Sequence, residues 1–179
     1  MLIAVDVDGV VLDTHSEVLR RYNIDYGDNL GLDDIQVWDM SRFAKPECGA
    51  KILGYFENPE VYKFAYHIVG ALAGVRALRD AHHRVVYATT PARNTAGVKL
   101  EVLTALGFLD YPEDYIECTD KNLVRADVLI DDYAPNVNLF QGKRILFDRP
   151  WNANSIVYYG VLRARDWKQV VGLINGFES

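Results

Sequence analysis

Short apolar runs, each closed by a polar residue, recur along the chain and set its frame. Leu2–Val5 runs into Asp6, Val85–Ala88 into Thr89-Thr90, Val128–Ile130 into Asp131-Asp132 and Ile145–Phe147 into Asp148. Tyr115–Glu117 is a weaker candidate of the same kind. Continuous β-branched runs between turns are the pattern of strands buried on both faces, so these predict a parallel sheet. Helical periodicity fills the intervals. Ala71–Ala81 spaces Leu72, Val75 and Leu78 three apart, and Thr95–Leu106 puts Val98, Val102, Leu103 and Leu106 on one face. Asn94 is the expected N-cap of that second helix, and Gly107 lies just past its end, where a left-handed residue commonly stops a helix. A shorter helix closes over Val137–Phe140 before Gly142, and Asp166 with Gln169 reads as a capping box for Trp167–Ile174. Strand alternating with helix predicts an α/β fold on a Rossmann-like parallel sheet.

Residues 14–69 break the alternation. This stretch is helix-leaning and rich in aromatics, among them Tyr22, Trp38, Phe43, Tyr55, Phe56 and Tyr62. It lies between the first and second strands and far exceeds an ordinary connection of a few residues. It predicts a small helical cap inserted after the first strand, with residues 1–13 and 70–179 forming the core.

Composition narrows the class without altering that frame. Half of the 179 residues are apolar and a quarter are charged, the balance of a soluble globular protein with length for one full core. A net charge of −6 and a pI near 5.2 leave no basic footprint for gripping a nucleic-acid polymer, although local positive charge or a metal would still admit one small anion. Cys48 and Cys118 form no CxxC pair, which argues against a disulfide framework or a zinc site and fits a reducing compartment. No apolar run approaches the ~20 residues that span a bilayer. Asp6 also arrives too early for a signal peptide's apolar region. A cytoplasmic location with no membrane association is the expectation.

Open parallel sheets bind ligands outside the carboxyl ends of their strands. The residues closing the apolar runs therefore become a candidate site: Asp6 and Asp8, Thr89-Thr90, Asp131-Asp132, and Lys121 in the connection before Asp131. Carboxylates so crowded would raise one another's pKa unless a cation sits among them. An all-oxygen set, with neither histidine nor thiolate, matches Mg2+ better than zinc. A metal held by two carboxylates beside a lysine suits the equatorial oxygens of a phosphate. Asp6 is then placed to attack phosphorus and form an aspartyl-phosphate, and Asp8 to protonate the leaving oxygen and later activate water. Gly9 lets the chain turn sharply so that its backbone approaches the phosphate. Each residue also has a plainer reading: Thr89 as a β-branched strand residue, Lys121 as a solvated charge, Asp131-Asp132 as helix-opening carboxylates. Their joint placement favours the catalytic reading.

The stretch Asp6-Val7-Asp8-Gly9-Val10 after a buried strand, a hydroxyl residue ending the next strand, a lysine and a late Asp-Asp pair together resemble the haloacid dehalogenase superfamily. The resemblance implies a haloacid dehalogenase-like core with Asp6 as nucleophile, Asp8 as general acid/base, and Thr89 and Lys121 on the phosphate. It further implies Mg2+ held by Asp6, the Asp8 backbone carbonyl and Asp132, with Asp131 auxiliary. Dehalogenases proper lack the second aspartate, so Asp8 favours phosphoryl chemistry. A narrower likeness lies in Ala88-Thr89-Thr90-Pro91, Thr119-Asp120-Lys121, the run 126–132, Phe56-Glu57-Asn58-Pro59, Gly70-Ala71 and the run 146–152. These look like the 5'(3')-deoxyribonucleotidases over most of the chain, least so within residues 14–55. That family implies Thr90 beside Thr89 on the phosphate, cap aromatics stacked on a nucleobase, a nucleoside monophosphate as partner, and often a homodimer. Thr119 and Arg93 stand where arginine and lysine would be expected, which leaves base preference and 5' versus 3' selectivity open.

Trp38 and Phe43 are the candidate base-stacking residues, although aromatics on helices more often pack a core; Tyr55, Phe56 and Tyr62 are expected to pack the cap. Arg93 reads as a phosphate or sugar contact, or as a surface charge at a helix start. His15 lies close enough behind Asp8 to face a pocket, His82-His83 suits a helix C-terminus, and Trp151 is expected to seal the sheet edge. The expected activity is Mg2+-dependent removal of phosphate from (deoxy)ribonucleoside monophosphates. The alternatives are a phosphatase for another small phosphomonoester such as a sugar phosphate, a polynucleotide 3'-phosphatase, and a non-catalytic phosphate-binding module.

Overall fold

The computed structural model describes residues 1–177. The apolar runs form β1 (Leu2–Val5), β2 (Arg84–Thr89), β3 (Tyr115–Glu117), β4 (Val128–Asp131) and β5 (Lys143–Phe147), joined by β6 (Val161–Ala164). All pair in parallel in the order β3-β2-β1-β4-β5-β6, so the strand order reverses between β1 and β4. Ile3–Val5 and all of β4 are buried, as central parallel strands require. β6 has no counterpart in the apolar pattern. Arg163 interrupts it and Leu162 is exposed, as an edge strand with one open side permits.

Among the described residues, six α-helices flank the sheet: α1 (Thr14–Tyr26), α2 (Pro59–Phe64), α3 (Ala71–Asp80), α4 (Ala96–Ala105), α5 (Ala134–Leu139) and α6 (Trp167–Gly176). Side chains alternate in direction along a strand, and the core divides accordingly. Ile3, Val5, Val85 and Tyr87 pack with Val75 and Leu78 of α3 and Trp167 and Val170 of α6. Ala4, Val86 and Leu129 pack with Ala134 and Val137 of α5 on the other face. Burial of each large side chain is worth about 1.5–3 kcal/mol, which holds the helices to the sheet. Asp166 caps α6 by accepting from the Gln169 amide at 2.8 Å, while the Gln169 side chain accepts from the Arg165 amide at 3.0 Å. The start of α4 differs from expectation. Thr95 is its N-cap, and Asn94 adopts a left-handed φ of 61° in the turn before it.

Between β1 and α3 the chain runs through α1, then 3-10 turns at Leu32–Asp34, Met40–Arg42 and Gly49–Glu57, then α2. Tyr22 ties this stretch together: its hydroxyl accepts from the Lys45 amide at 2.8 Å and donates to Asp28 at 2.5 Å. Val18, Tyr22, Ile52 and Val61 join the same buried cluster as Ile3 and Val5.

Candidate active site

The site forms where β1 and β4 part. Asp6 directly follows β1, and its amide still donates to Ile130 of β4 at 2.9 Å. The chain then folds back on itself, with the Leu12 amide on Val7 oxygen at 2.9 Å. Gly9 carries the turn at φ +77°, and a Cβ there would lie 2.2 Å from Asp132 Oδ2. Glycine is therefore required twice, for its conformation and for the space. The Trp167 indole of α6 donates to Val10 oxygen at 2.9 Å and pins the far side of the loop.

Each of the two aspartates meets its own buried lysine. Lys121, from the turn Lys121–Leu123, places Nζ 2.6 Å from Asp6 Oδ1 and 2.8 Å from Asp131 Oδ2. Lys99, on α4, places Nζ 2.8 Å from Asp8 Oδ2, 3.1 Å from Thr89 Oγ1 and 3.2 Å from the Thr90 carbonyl. Its ammonium also lies 4.8 Å from the centre of the Tyr62 ring.

The late pair divides its work. Asp131 is fully engaged: Oδ1 accepts from the Tyr133 amide at 2.8 Å, and Oδ2 accepts from Asn136 at 2.9 Å besides meeting Lys121. Asp132 Oδ2 accepts from the Trp151 indole at 3.0 Å, while its Oδ1 is buried without a hydrogen-bond partner among the described residues. One carboxylate oxygen from each of Asp6, Asp131 and Asp132 lies within 4.8 Å of the others. A buried acceptor without a donor costs about 1–3 kcal/mol, which a cation would remove. The donor set thus fits a hard divalent cation held by Asp6 and Asp132.

Electrostatics agree. Burial pushes Asp6 up to about 7, against the pull of Lys121 and with added repulsion from Asp131 and Asp8. Burial, then Asp6 and Asp131, drives Asp132 well above the usual carboxylate range. Asp8 moves the other way: burial would raise it, but Lys99 holds it below its ordinary value. Lys121 stays charged, because Asp131 and Asp6 outweigh the burial that opposes its charge. Burial lowers His15 to about 4, so it is neutral near physiological pH.

Asp6 and Asp8 open into a cavity of about 230 Å³. Its remaining walls are largely apolar, including His15, Trp38, Met40, Phe56 and Tyr62, with Thr90 and Lys99 at the polar end. Thr89 and Lys121 stand behind the two aspartates, fully or almost fully buried. Sequence expectation and structure part at several residues. Phe43 is outside the cavity lining because it packs against the core, and Arg93 is solvent-exposed and likewise outside it. Phe56 and Tyr62 face the cavity as well as packing. Trp151 does not seal the sheet edge; it is buried beneath the site, stacked on His15 at 4.0 Å. Lys99 was not anticipated, although it lies one helical turn before Leu103 on the buried stripe of α4.

Residues 1–177 match the family described as 5' nucleotidase, deoxy (pyrimidine), cytosolic type C protein. The chain belongs to that family. It is 29% identical over 177 residues to a 5'(3')-deoxyribonucleotidase of Clostridium acetobutylicum, covering 99% of this chain and 96% of that one. It is also 29% identical over 175 residues to a 5'(3')-deoxyribonucleotidase of Bacillus subtilis, covering 94% and 95%. Its fold is shared with a Deinococcus radiodurans HAD family hydrolase crystallised with bound phosphate and sodium, at TM-score 0.62 and 16% identity over 98% of this chain and 95% of that one. A haloacid dehalogenase-like hydrolase of Xanthomonas campestris aligns at TM-score 0.61 and 12% identity over 98% and 95%. As a member of the 5' nucleotidase family, the chain is a phosphomonoester hydrolase of the haloacid dehalogenase-like type.

Proposed function

We propose that the chain removes phosphate from (deoxy)ribonucleoside monophosphates, using Mg2+ and an aspartyl-phosphate on Asp6. The observation that carries this is the pairing of Asp6 with Lys121 and Asp8 with Lys99 at the polar end of an otherwise largely apolar cavity. Mg2+ between Asp6 and Asp132 would neutralise the carboxylates and the phosphoryl oxygens. Lys121 favours the ionised form of Asp6 and aims it, so that an Asp6 oxygen forms the new bond to phosphorus as the ester P–O bond breaks. Lys99, released from Asp8 as it turns to the phosphate oxygens, leaves Asp8 free to hold a proton for the departing alkoxide. Asp8 then takes a proton from water as that water attacks phosphorus and the bond to Asp6 breaks, which restores the carboxylate. Thr89 and Thr90 complete the phosphate cradle, with Asp131 holding Lys121 in place.

Residues 14–69 act in this reading as a cap that chooses the substrate. They contribute His15, Trp38, Phe56 and Tyr62 to the cavity wall, rings of the kind that cover a nucleobase. The volume of about 230 Å³ lies below the ~300–1,000 Å³ usual for drug-sized ligands and favours one nucleotide over a polymer. A hydrolysis panel of dUMP, dTMP, their ribo-counterparts, 3'-monophosphates and sugar phosphates with Mg2+ tests the assignment. Nucleoside monophosphates are expected to turn over fastest. Negligible nucleotide turnover beside rapid sugar-phosphate hydrolysis would replace the substrate class.

A further inference from the structure

Trp151 stands where it sets the geometry of Asp132. Its indole N–H donates to Asp132 Oδ2 at 3.0 Å, with both residues buried. That bond occupies one carboxylate oxygen and restrains rotation of the group. The other oxygen, Oδ1, stays buried with no hydrogen-bond partner among the described residues.

The indole is itself held. One face stacks on His15, with ring centres 4.0 Å apart at 21°, and the Arg149 guanidinium lies 4.9 Å from the ring. The next residue, Asn152, donates to the Asp132 carbonyl and to the Phe147 carbonyl, both at 2.8 Å, which ties the turn to the ends of β4 and β5. Gly9 leaves room for the pair, since a Cβ there would also lie 3.1 Å from the Trp151 ring. The neighbouring carboxylate shows the alternative. Asp131 has both oxygens engaged, Oδ1 by the Tyr133 amide and Oδ2 by Asn136 and the Lys121 ammonium, which leaves it with little to offer a cation. A neutral N–H orients a carboxylate while leaving its charge intact.

We propose that Trp151 is a positioning residue for the metal: its N–H holds Oδ2 so that Oδ1 of Asp132 is presented to the cation. The inference rests on the reading of Asp6 and Asp132 as the cation site. It is tested by calorimetric titration of Mg2+ into the wild-type protein and Trp151→Phe, which keeps a ring against His15 but loses the donor. The Kd for Mg2+ is expected to rise about 10–100-fold. At saturating Mg2+, kcat is expected to stay near wild type, whereas a collapsed site would lose both. Because phenylalanine is smaller than indole, a second variant carries β-(3-benzothienyl)alanine at position 151, where sulfur replaces the N–H in a ring of the same shape. The same weakening is expected, and this variant decides the matter if Trp151→Phe fails to fold. If the wild-type protein binds no Mg2+, the cation reading falls and this inference with it. If the wild type binds and the sulfur analogue binds equally well, the positioning role is wrong and the cation site stands.

Discussion

The cavity has two walls built on different principles. On the sheet side, functional atoms are fixed by short polar contacts from elements of set register: Asp6 and Asp131 share Lys121, Asp8 meets Lys99, and Asp132 meets Trp151. On the other side, residues 14–69 present mainly Trp38, Met40, Leu53 and Phe56, a wall of shape and ring faces. Trp38 remains about half exposed and meets Tyr133 of the sheet side, with ring centres 4.2 Å apart. The polar wall tolerates little displacement, because its contacts are directional and buried. The apolar wall can be assembled from many side chains of adequate size. In the proposed reading, reaction type therefore follows from the sheet ends and substrate choice from residues 14–69.

The largest expected effect lies at the polar wall. Asp6→Asn is expected to lower phosphate release roughly 10⁴-fold or more, since an amide cannot replace the attacking carboxylate. Circular dichroism should match wild type, because the side chains are nearly the same shape. Turnover close to wild type would place the nucleophile elsewhere and dissolve the distinction between the walls.

The same division decides what could be read from the chain. Asp6, Thr89 and Asp131 were legible because each closes an apolar run, and parallel strands project such residues to one edge. Lys99 was hidden because a lysine beside Val98 on a helix looks like an amphipathic stem reaching for solvent, and only the tertiary fold shows it buried against Asp8. Trp151 was misplaced for a related reason: an aromatic near a strand end announces burial but not its hydrogen-bond partner. Between α1 and α2 the chain forms only 3-10 turns that lack a long repeat, so nothing separated cavity-lining Phe56 from core-packed Phe43. β6 escaped because an edge strand buries too little to leave a continuous apolar run.

A second way to sharpen the comparison uses pH. Without a divalent cation, the folded chain holds Asp6 at about 7, whereas an ordinary aspartate titrates near 3.8. Between those values the unfolded chain has released a proton that the folded chain keeps, so Asp6 lowers stability as pH rises through that window. Asp132 is raised by the same burial and adds to the slope. Asp8 has the opposite sign: its lowered pKa contributes stability above the ordinary carboxylate range that is lost as pH falls below it. At the proposed site Mg2+ would bind the ionised pair, so it is expected to raise the urea midpoint more on the alkaline side of the window than on the acid side. An equal Mg2+ effect on both sides would mean that these carboxylates are not its ligands.

The smallest effect tests the apolar wall. Stacking of a base on an aromatic ring is worth about 1–3 kcal/mol, and a half-exposed Trp38 belongs at the lower end of that range. Trp38→Ala is therefore expected to raise KM for nucleoside monophosphates about fivefold, the equivalent of about 1 kcal/mol. Its kcat should hold, since Trp38 belongs to the apolar wall and the reacting groups are held by the polar contacts of Asp6, Asp8, Lys99 and Lys121. KM for a sugar phosphate should not move, because it presents no base to the ring. Phe43→Ala, in a residue outside the cavity lining, is expected to leave both substrates unaffected unless the segment loosens. An equal loss for nucleotide and sugar phosphate in Trp38→Ala would show that the ring closes the cavity against water rather than reading the base. Substrate choice would then rest with other residues of the wall, such as Tyr62, whose ring centre lies 4.8 Å from the Lys99 ammonium.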